Sequence, residues 1–142
     1  MRIIAYRCSL VISFIGMVIF SSHSKDQFNA QIKDHPRHFE VSGKGYILSD
    51  REPGIIEDEK ALYTNDAGAR TFNFQEKTIL THGYVGKWKN FDSLSRDEHE
   101  EIKNIARGAL DFISRLEQRQ RSLSAVDSHH QEILKTFLAN DQ

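Results

Sequence analysis

The order of hydrophobic and polar positions divides the chain into an apolar N-terminal segment, a central region of short alternating runs and a helical C-terminal third. Between residues 39 and 91 the apolar residues form short runs, several of which alternate with polar residues. Alternation with period two is typical of half-buried β-strands, and the glycine, proline and asparagine residues between the runs favour turns. This region therefore predicts a small antiparallel sheet of four or five strands.

Two turns of this sheet are marked by residue type. Gly43-Lys44-Gly45 separates two apolar runs and predicts the turn of a β-hairpin. Pro53-Gly54 predicts the next turn, because proline fixes φ at one turn position and glycine tolerates a positive φ at another. Residues 84–91 fit either a last edge strand or a loop that leaves the sheet, and both alternatives stay open.

A helix is predicted over residues 95–120. Ser95 and Glu98 stand at the spacing of a capping box, in which the serine side chain accepts a hydrogen bond from the backbone of the third helical residue. The apolar residues that follow recur at steps of three and four, so that one face of the helix is apolar and covers the sheet. Gly108 lies in this helix and costs up to about 1 kcal/mol relative to alanine, unless close packing requires its missing side chain.

A second helix is predicted over residues 125–139, after a break at Arg121–Ser124. One continuous helix is the alternative, because apolar residues recur every seven positions from Ile102 to Phe137 in a coiled-coil-like pattern. Such a stripe could pair with a second copy of the chain or with another helix. Arg119 and His130 interrupt the repeat, which favours two helices.

The N-terminal segment has the pattern of an export signal. Arg2 and Arg7 precede the uninterrupted apolar run from Cys8 to Phe20, which is shorter than the about 20 residues that a membrane-spanning helix needs. Small residues precede a cleavage position after Ser24, so residues 1–24 are predicted to be a signal peptide. An uncleaved membrane anchor is the alternative, and only in that case would the protein associate with a membrane.

Composition narrows the class of protein further. Residues 25–38 read as a polar leader, and residues 39–142 are enough for a single α+β domain. Cys8 is the one cysteine and lies in the signal segment, so the exported chain has neither a disulfide nor a thiolate. The 19 basic and 20 acidic residues balance, which argues against a nucleic-acid-binding surface. The predicted location is the periplasm or the extracellular space.

No set of residues identifies a reaction, a metal site or a cofactor site. His35 and His38 flank Pro36-Arg37 without a further ligand nearby in sequence, and the acidic stretch 97–101 lacks the second histidine of a zinc protease helix. The acids at 57–59 and His82 could serve a small hydrolase, but no sequence pattern brings either to a productive geometry. We therefore predict no catalytic residue, no metal and no cofactor.

The segment 83–91 interleaves aromatic residues with lysines, as surfaces that bind proteins often do. Alternatively, Trp88 and Phe91 fill the core between the sheet and the helix. His130 lies on the apolar stripe of the second helix, where a histidine serves as a hydrogen-bonded core or interface residue. The candidate partner-binding residues are Tyr84, Lys87, Trp88, Lys89 and His130.

Taken together, the sequence predicts an α+β protein in which one or two C-terminal helices cover a small antiparallel sheet. The hypothesis for function is a non-enzymatic protein-binding module of the cell envelope or extracellular space, such as an inhibitor, immunity factor, chaperone or adaptor. Two alternatives are a membrane-anchored component of an envelope assembly and a small exported hydrolase.

Overall fold

The computed structural model describes residues 34–50, 53–59, 70–81 and 87–140. His35–Gln142 make up one structural unit. The predicted signal segment, its cleavage site and most of the polar leader lie outside the described residues. So does the apolar run 61–64, one of the short apolar runs of the central region.

The described residues contain a six-stranded antiparallel sheet in which each strand pairs with the next strand along the chain. The predicted α+β class is confirmed, with six strands where four or five were predicted. Residues 84–91 were predicted to hold either an edge strand or a loop, and residues 88–90 form an edge strand. The strands are β1 (His38–Val41), β2 (Lys44–Leu48), β3 (Ile55–Asp58), β4 (Arg70–Asn73), β5 (Thr78–Thr81) and β6 (Trp88–Asn90).

The first hairpin turn lies one residue earlier than the sequence predicted. Ser42 and Gly43 form the turn, with φ values of 52° and 78°, and Lys44 pairs directly with Val41. Two consecutive positive φ values match the twist of a tight hairpin. Gly45 already belongs to β2, and a side chain there would collide with the carboxylate of Glu59. The sequence therefore predicted the hairpin correctly, but Gly45 lies in β2 beside the Glu59 side chain and not in the turn.

The strand register assigns the large side chains to one face of the sheet. Phe39 pairs with Tyr46, Ile56 pairs with Phe72, and Phe72 pairs with Ile79. Paired residues point to the same face of a sheet. All five side chains are buried in the core that the sheet forms with the helices.

Helix α1 (Arg96–Gln120) begins where the capping pattern predicted. The backbone N–H of Glu98 donates to the hydroxyl of Ser95 at 3.3 Å. The helix ends at Arg121, whose φ of 62° is left-handed and stops helical propagation.

Helix α2 (Ala125–Asn140) is a separate helix. The hydroxyl of Ser124 accepts a hydrogen bond from the backbone N–H of Asp127 at 3.1 Å, as an N-cap serine does. The chain therefore has two C-terminal helices and not one continuous helix. The seven-residue repeat spans both helices because each buries an apolar face in the same core.

An aromatic cluster joins the sheet to α2. The ring of Phe74, just after β4, lies 5.0 Å from that of Phe137 in α2 and 5.7 Å from that of Phe91, in the single helical turn Phe91–Ser93. The rings of Phe91 and Phe137 lie 5.6 Å apart. All three pairs have the edge-to-face geometry that aromatic rings prefer. This cluster packs α2 onto the sheet.

Gly108 marks the closest approach of α1 to β1. A β-carbon built on Gly108 would lie well inside the van der Waals radius of Val41 Cγ2, and at 3.5 Å from the ring of Phe39. The glycine that weakens α1 locally therefore permits the helix to lie close to the strand.

We expect Gly108→Ala to lower the free energy of unfolding by about 1–3 kcal/mol, because the new methyl group overpacks the contact with Val41. In an unpacked helix the same change would stabilise by up to about 1 kcal/mol. Urea denaturation measures the difference. In a Val41→Ala background the change should lose its cost, since the colliding methyl groups are gone. A Gly108→Ala protein more stable than the parent would contradict this account of the contact.

Candidate functional site

The described residues form two candidate binding sites, each with apolar and charged side chains close together. The first is the β6 edge, formed by Lys87, Trp88 and Lys89. The second is the hairpin cavity, which lies between the β1–β2 hairpin and α1. A third group of polar residues, the α2 anchor, consists of Arg37, Asp127 and His130, and it holds the fold together.

The β6 edge lies on the outermost strand of the sheet. The side chain of Trp88 is 45% exposed, and within the described ranges it is the one large hydrophobic residue that is exposed. Trp88 pairs with Leu80 and lies on the face opposite the helices, whereas Lys89 pairs with Ile79 on the helix-facing side. Phe91 is buried, so of the two aromatic residues suggested for the core, Phe91 lies there and Trp88 does not.

Trp88 ends a row of side chains that crosses the sheet on this outer face. The strand register places successive members of the row directly opposite one another. Ile47 and Thr71 are buried, whereas Leu80 is half-buried and Trp88 is exposed. The accessible apolar surface of the row therefore lies at its β5–β6 end. The row consists of His38, Ile47, Glu57, Thr71, Leu80 and Trp88.

Tyr84 and His82 lie outside the described residues. Of the other candidate residues, Trp88 and Lys89 lie on β6, Lys87 immediately precedes it, and all three are exposed, whereas His130 is buried.

The hairpin cavity has a volume of about 130 Å³. The tight turn at Ser42–Gly43 brings the start of β2 beside the end of β1, and α1 closes the cavity from above the sheet. The lining residues are Val41, Ser42, Lys44, Tyr46, Glu101, Asn104 and Ile105.

A charged cluster borders this cavity. Arg70 Nη2 donates to Glu101 Oε1 at 2.6 Å, and the Lys44 ammonium lies 3.6 Å from the same oxygen. Asp58 Oδ2 lies 3.8 Å from Arg70 Nη2 on the sheet side. The hydrogen bond from Arg70 lowers the pKa of Glu101. Burial raises the pKa of the Tyr46 hydroxyl to about 12.

These pKa shifts set the protonation states of Glu101 and Tyr46 at neutral pH. A general acid needs a carboxyl whose pKa is raised, whereas Glu101 is held in its ionised form by Arg70. Tyr46 stays protonated across the physiological range and can only exchange hydrogen bonds. The arrangement can therefore orient and neutralise a bound group.

The acids at 57–59 are divided between the two faces of the sheet. Asp58 pairs with Tyr46 on the helix-facing side of the sheet, and Glu57 pairs with Ile47 on the other side. Glu59 approaches the imidazole of His38, with Oε2 3.6 Å from Nε2. Within the described ranges, no group of three or more histidine, cysteine, aspartate or glutamate side chains is placed to hold a metal ion.

The α2 anchor ties the start of α2 to both ends of the first hairpin. Arg37 Nη2 donates to Asp127 Oδ1 at 2.5 Å, and Arg37 Nε donates to the carbonyl oxygen of Leu48 at 2.7 Å. Burial acts to raise the pKa of Asp127, but the hydrogen bonds from Arg37 and Ser124, with the charge of Arg37, lower it overall. Sequence patterns did not single out Arg37, because its partner lies 90 positions away.

His130 completes the α2 anchor and has no exposed surface. Its Nδ1 accepts a hydrogen bond from the backbone N–H of Gly54 at 2.9 Å, so the neutral ring carries its proton on Nε2. Burial, followed by the charge of Arg37, lowers the pKa of His130. The residue therefore plays the hydrogen-bonded core role, and it could contact a partner only if α2 moved.

The comparisons with known proteins returned no match: no protein family model, no curated protein and no solved structure is similar to this chain. Over the part of the chain that the structure describes, neither helix combines the length and apolar character needed to cross a bilayer.

We expect stability to fall as the pH drops below about 6.5, because the folded state disfavours protonated His130 while the unfolded chain binds that proton freely. Protonation of Nδ1 would also remove the acceptor of the Gly54 N–H. The loss should have a slope of up to about 1.4 kcal/mol per pH unit. Thermal unfolding between pH 7.5 and 5 measures it.

His130→Gln should be less stable at pH 7.5 but should lack this component of the pH dependence. His129→Gln is the matched control, because His129 is exposed on the same helix and the substitution should preserve the parent profile. Parallel profiles for the parent and His130→Gln would show that His130 does not cause the acid sensitivity.

Proposed function

We propose that the protein is an exported, non-enzymatic protein-binding module that binds an extended, acidic segment of another protein along the β6 edge. The observation that supports this most directly is the position of Trp88, a large aromatic residue exposed on the outermost strand. Buried aromatic anchors dominate the energetics of most protein interfaces, and tryptophan is the residue most enriched among them. Export is argued from the N-terminal sequence pattern alone.

The strand itself favours an extended partner. β6 pairs with β5 on one side, and among the described strands none pairs with its other side. The outward N–H and C=O groups of an edge strand can hydrogen bond to an added strand, while side-chain pockets supply specificity. Trp88, with Leu80 behind it in the same cross-strand row, would contact the side chains of such a segment that project on the face opposite the helices.

The charge of the edge indicates what kind of segment fits. Lys87 and Lys89 are exposed on either side of Trp88. In a second copy paired antiparallel so that the two Trp88 rings meet, Lys87 would face Lys89, and like charges directly opposite are destabilising. An acidic segment from a different protein would instead place opposite charges beside the two lysines.

The helical stripe that could have paired with a second copy is largely used within the chain. Ile102, Ile105, Ala109 and Ile113 are buried and belong to the core that α1 shares with the sheet. The proposal therefore places the partner at β6 and not along the helices.

A photo-crosslinking amino acid at position 88 tests the proposal in cells that produce the full-length chain. We expect one crosslinked protein, and its yield should fall when Lys87 and Lys89 are both replaced by glutamate. The same amino acid at Glu40, which is exposed on the opposite edge strand β1, is the matched control and should not capture this protein. Equal capture at both positions, or no capture at position 88, would contradict the proposal.

With the captured partner purified, we expect Trp88→Ala to weaken binding by about 30-fold, the effect of losing an interface anchor of about 2 kcal/mol. The variant should stay folded but lose about 1–2 kcal/mol of unfolding free energy, because Trp88 is only 45% exposed and its cross-strand contact with Leu80 is lost. Trp88 is the one tryptophan of the chain, so a blue shift of its emission on binding reports its burial directly. An unchanged affinity would exclude Trp88 as the anchor.

A further inference from the structure

We propose that the hairpin cavity binds a carboxylate that carries a short apolar chain. This site is separate from the β6 edge, and the argument for it uses none of the residues of that edge.

The floor of the cavity is apolar. Val41 of β1 and Ile105 of α1 line it, and the buried Tyr46 forms part of the wall. Apolar cavities of about 150 Å³ in proteins can hold a molecule the size of benzene. The volume of about 130 Å³ therefore suits a branched chain of four or five carbon atoms.

The rim supplies hydrogen-bond donors. The ammonium group of Lys44 has three N–H bonds, and its carboxylate partner Glu101 lies at the long distance of 3.6 Å. Asn104 Oδ1 accepts a hydrogen bond from Arg107 Nη1 at 2.8 Å, which leaves the amide Nδ2 as the donor that can turn to a ligand. The hydroxyl of Ser42 lies on the same rim.

The charges select an anion over a cation. Glu101 already accepts a short hydrogen bond from Arg70, and Lys44 lies beside the same carboxylate oxygen. In the cavity and its bordering cluster, the cationic groups of Lys44 and Arg70 balance the carboxylates of Asp58 and Glu101, and Lys44 is the most exposed of these four side chains. An added ammonium group would face Lys44, whereas an added carboxylate would pair with it.

Two kinds of ligand carry a carboxylate beside a short apolar group. One is a free monocarboxylic acid of about seven non-hydrogen atoms, and the other is the C-terminal carboxylate of a peptide whose last side chain is aliphatic. Both present one carboxylate and one short apolar group.

The test is a titration of the ¹⁵N-labelled protein, followed by the amide signals of Ser42, Lys44 and Asn104. The probes are 3-methylbutanoate and its neutral isostere 3-methylbutanamide. We expect the acid to shift these signals with millimolar affinity, and the amide to bind at least tenfold more weakly because it lacks the charge. In parallel, a tripeptide ending in leucine is compared with its C-terminal amide.

Lys44→Met should weaken binding of the acid about tenfold, whereas Lys135→Met, which removes the same charge from an exposed position on α2, should leave it unchanged. Asn104→Ala removes the other donor without touching the Lys44–Glu101 pair, and it should also weaken binding.

The site is supported if the free acid or the leucine peptide binds more tightly than its own amide. The probe that does so shows whether the ligand is a free acid or a peptide C-terminus. The proposal is overturned if no probe shifts these signals at 50 mM, an excess over millimolar affinity. It is also overturned if acid and amide bind equally, or if Lys44→Met and Asn104→Ala both bind like the parent.

Discussion

Helix α1 lies close to strand β1 because Gly108 has no side chain at the point where Val41 projects toward it. This close approach sets the distance between the helix and the sheet, and several other features depend on that distance. It allows Glu101 of α1 to reach Arg70 of β4 at 2.6 Å, and it makes the helix the roof of the hairpin cavity. A helix held farther away would break this part-buried ion pair and widen the cavity.

Buried polar groups then fix the second helix. Apolar packing around Phe137 would tolerate small rotations of α2, but hydrogen bonds are directional and buried donors require partners. Arg37 donates to Asp127 and to a carbonyl of β2, while His130 accepts from the turn at Gly54. These contacts permit one placement of α2. The same directionality makes the placement sensitive to the protonation of His130.

The parts of the fold that depend on neighbouring residues could be predicted from the sequence. The capping serine Ser95, the break before α2 and the Pro53-Gly54 turn are local, and the structure contains all three. The pairs Arg37–Asp127 and Arg70–Glu101 join residues 90 and 31 positions apart, which no periodic pattern reveals. The hairpin cavity is unpredictable for the same reason, since its walls come from two distant segments. The sequence could not show whether Trp88 is exposed or buried, because an aromatic residue on a short strand suits either environment.

The meander topology has a kinetic consequence. Every strand pairs with its neighbour in the chain, so each step of sheet formation closes a short loop at small entropic cost, and such local topologies fold rapidly. Docking of α2 is different, because Arg37 and Asp127 close a loop of 90 positions. The sheet and α1 can therefore assemble first, with α2 docking last. By the same reasoning we expect α2 to open at a lower free energy than the central strands, so that its amide hydrogens exchange with solvent ahead of theirs.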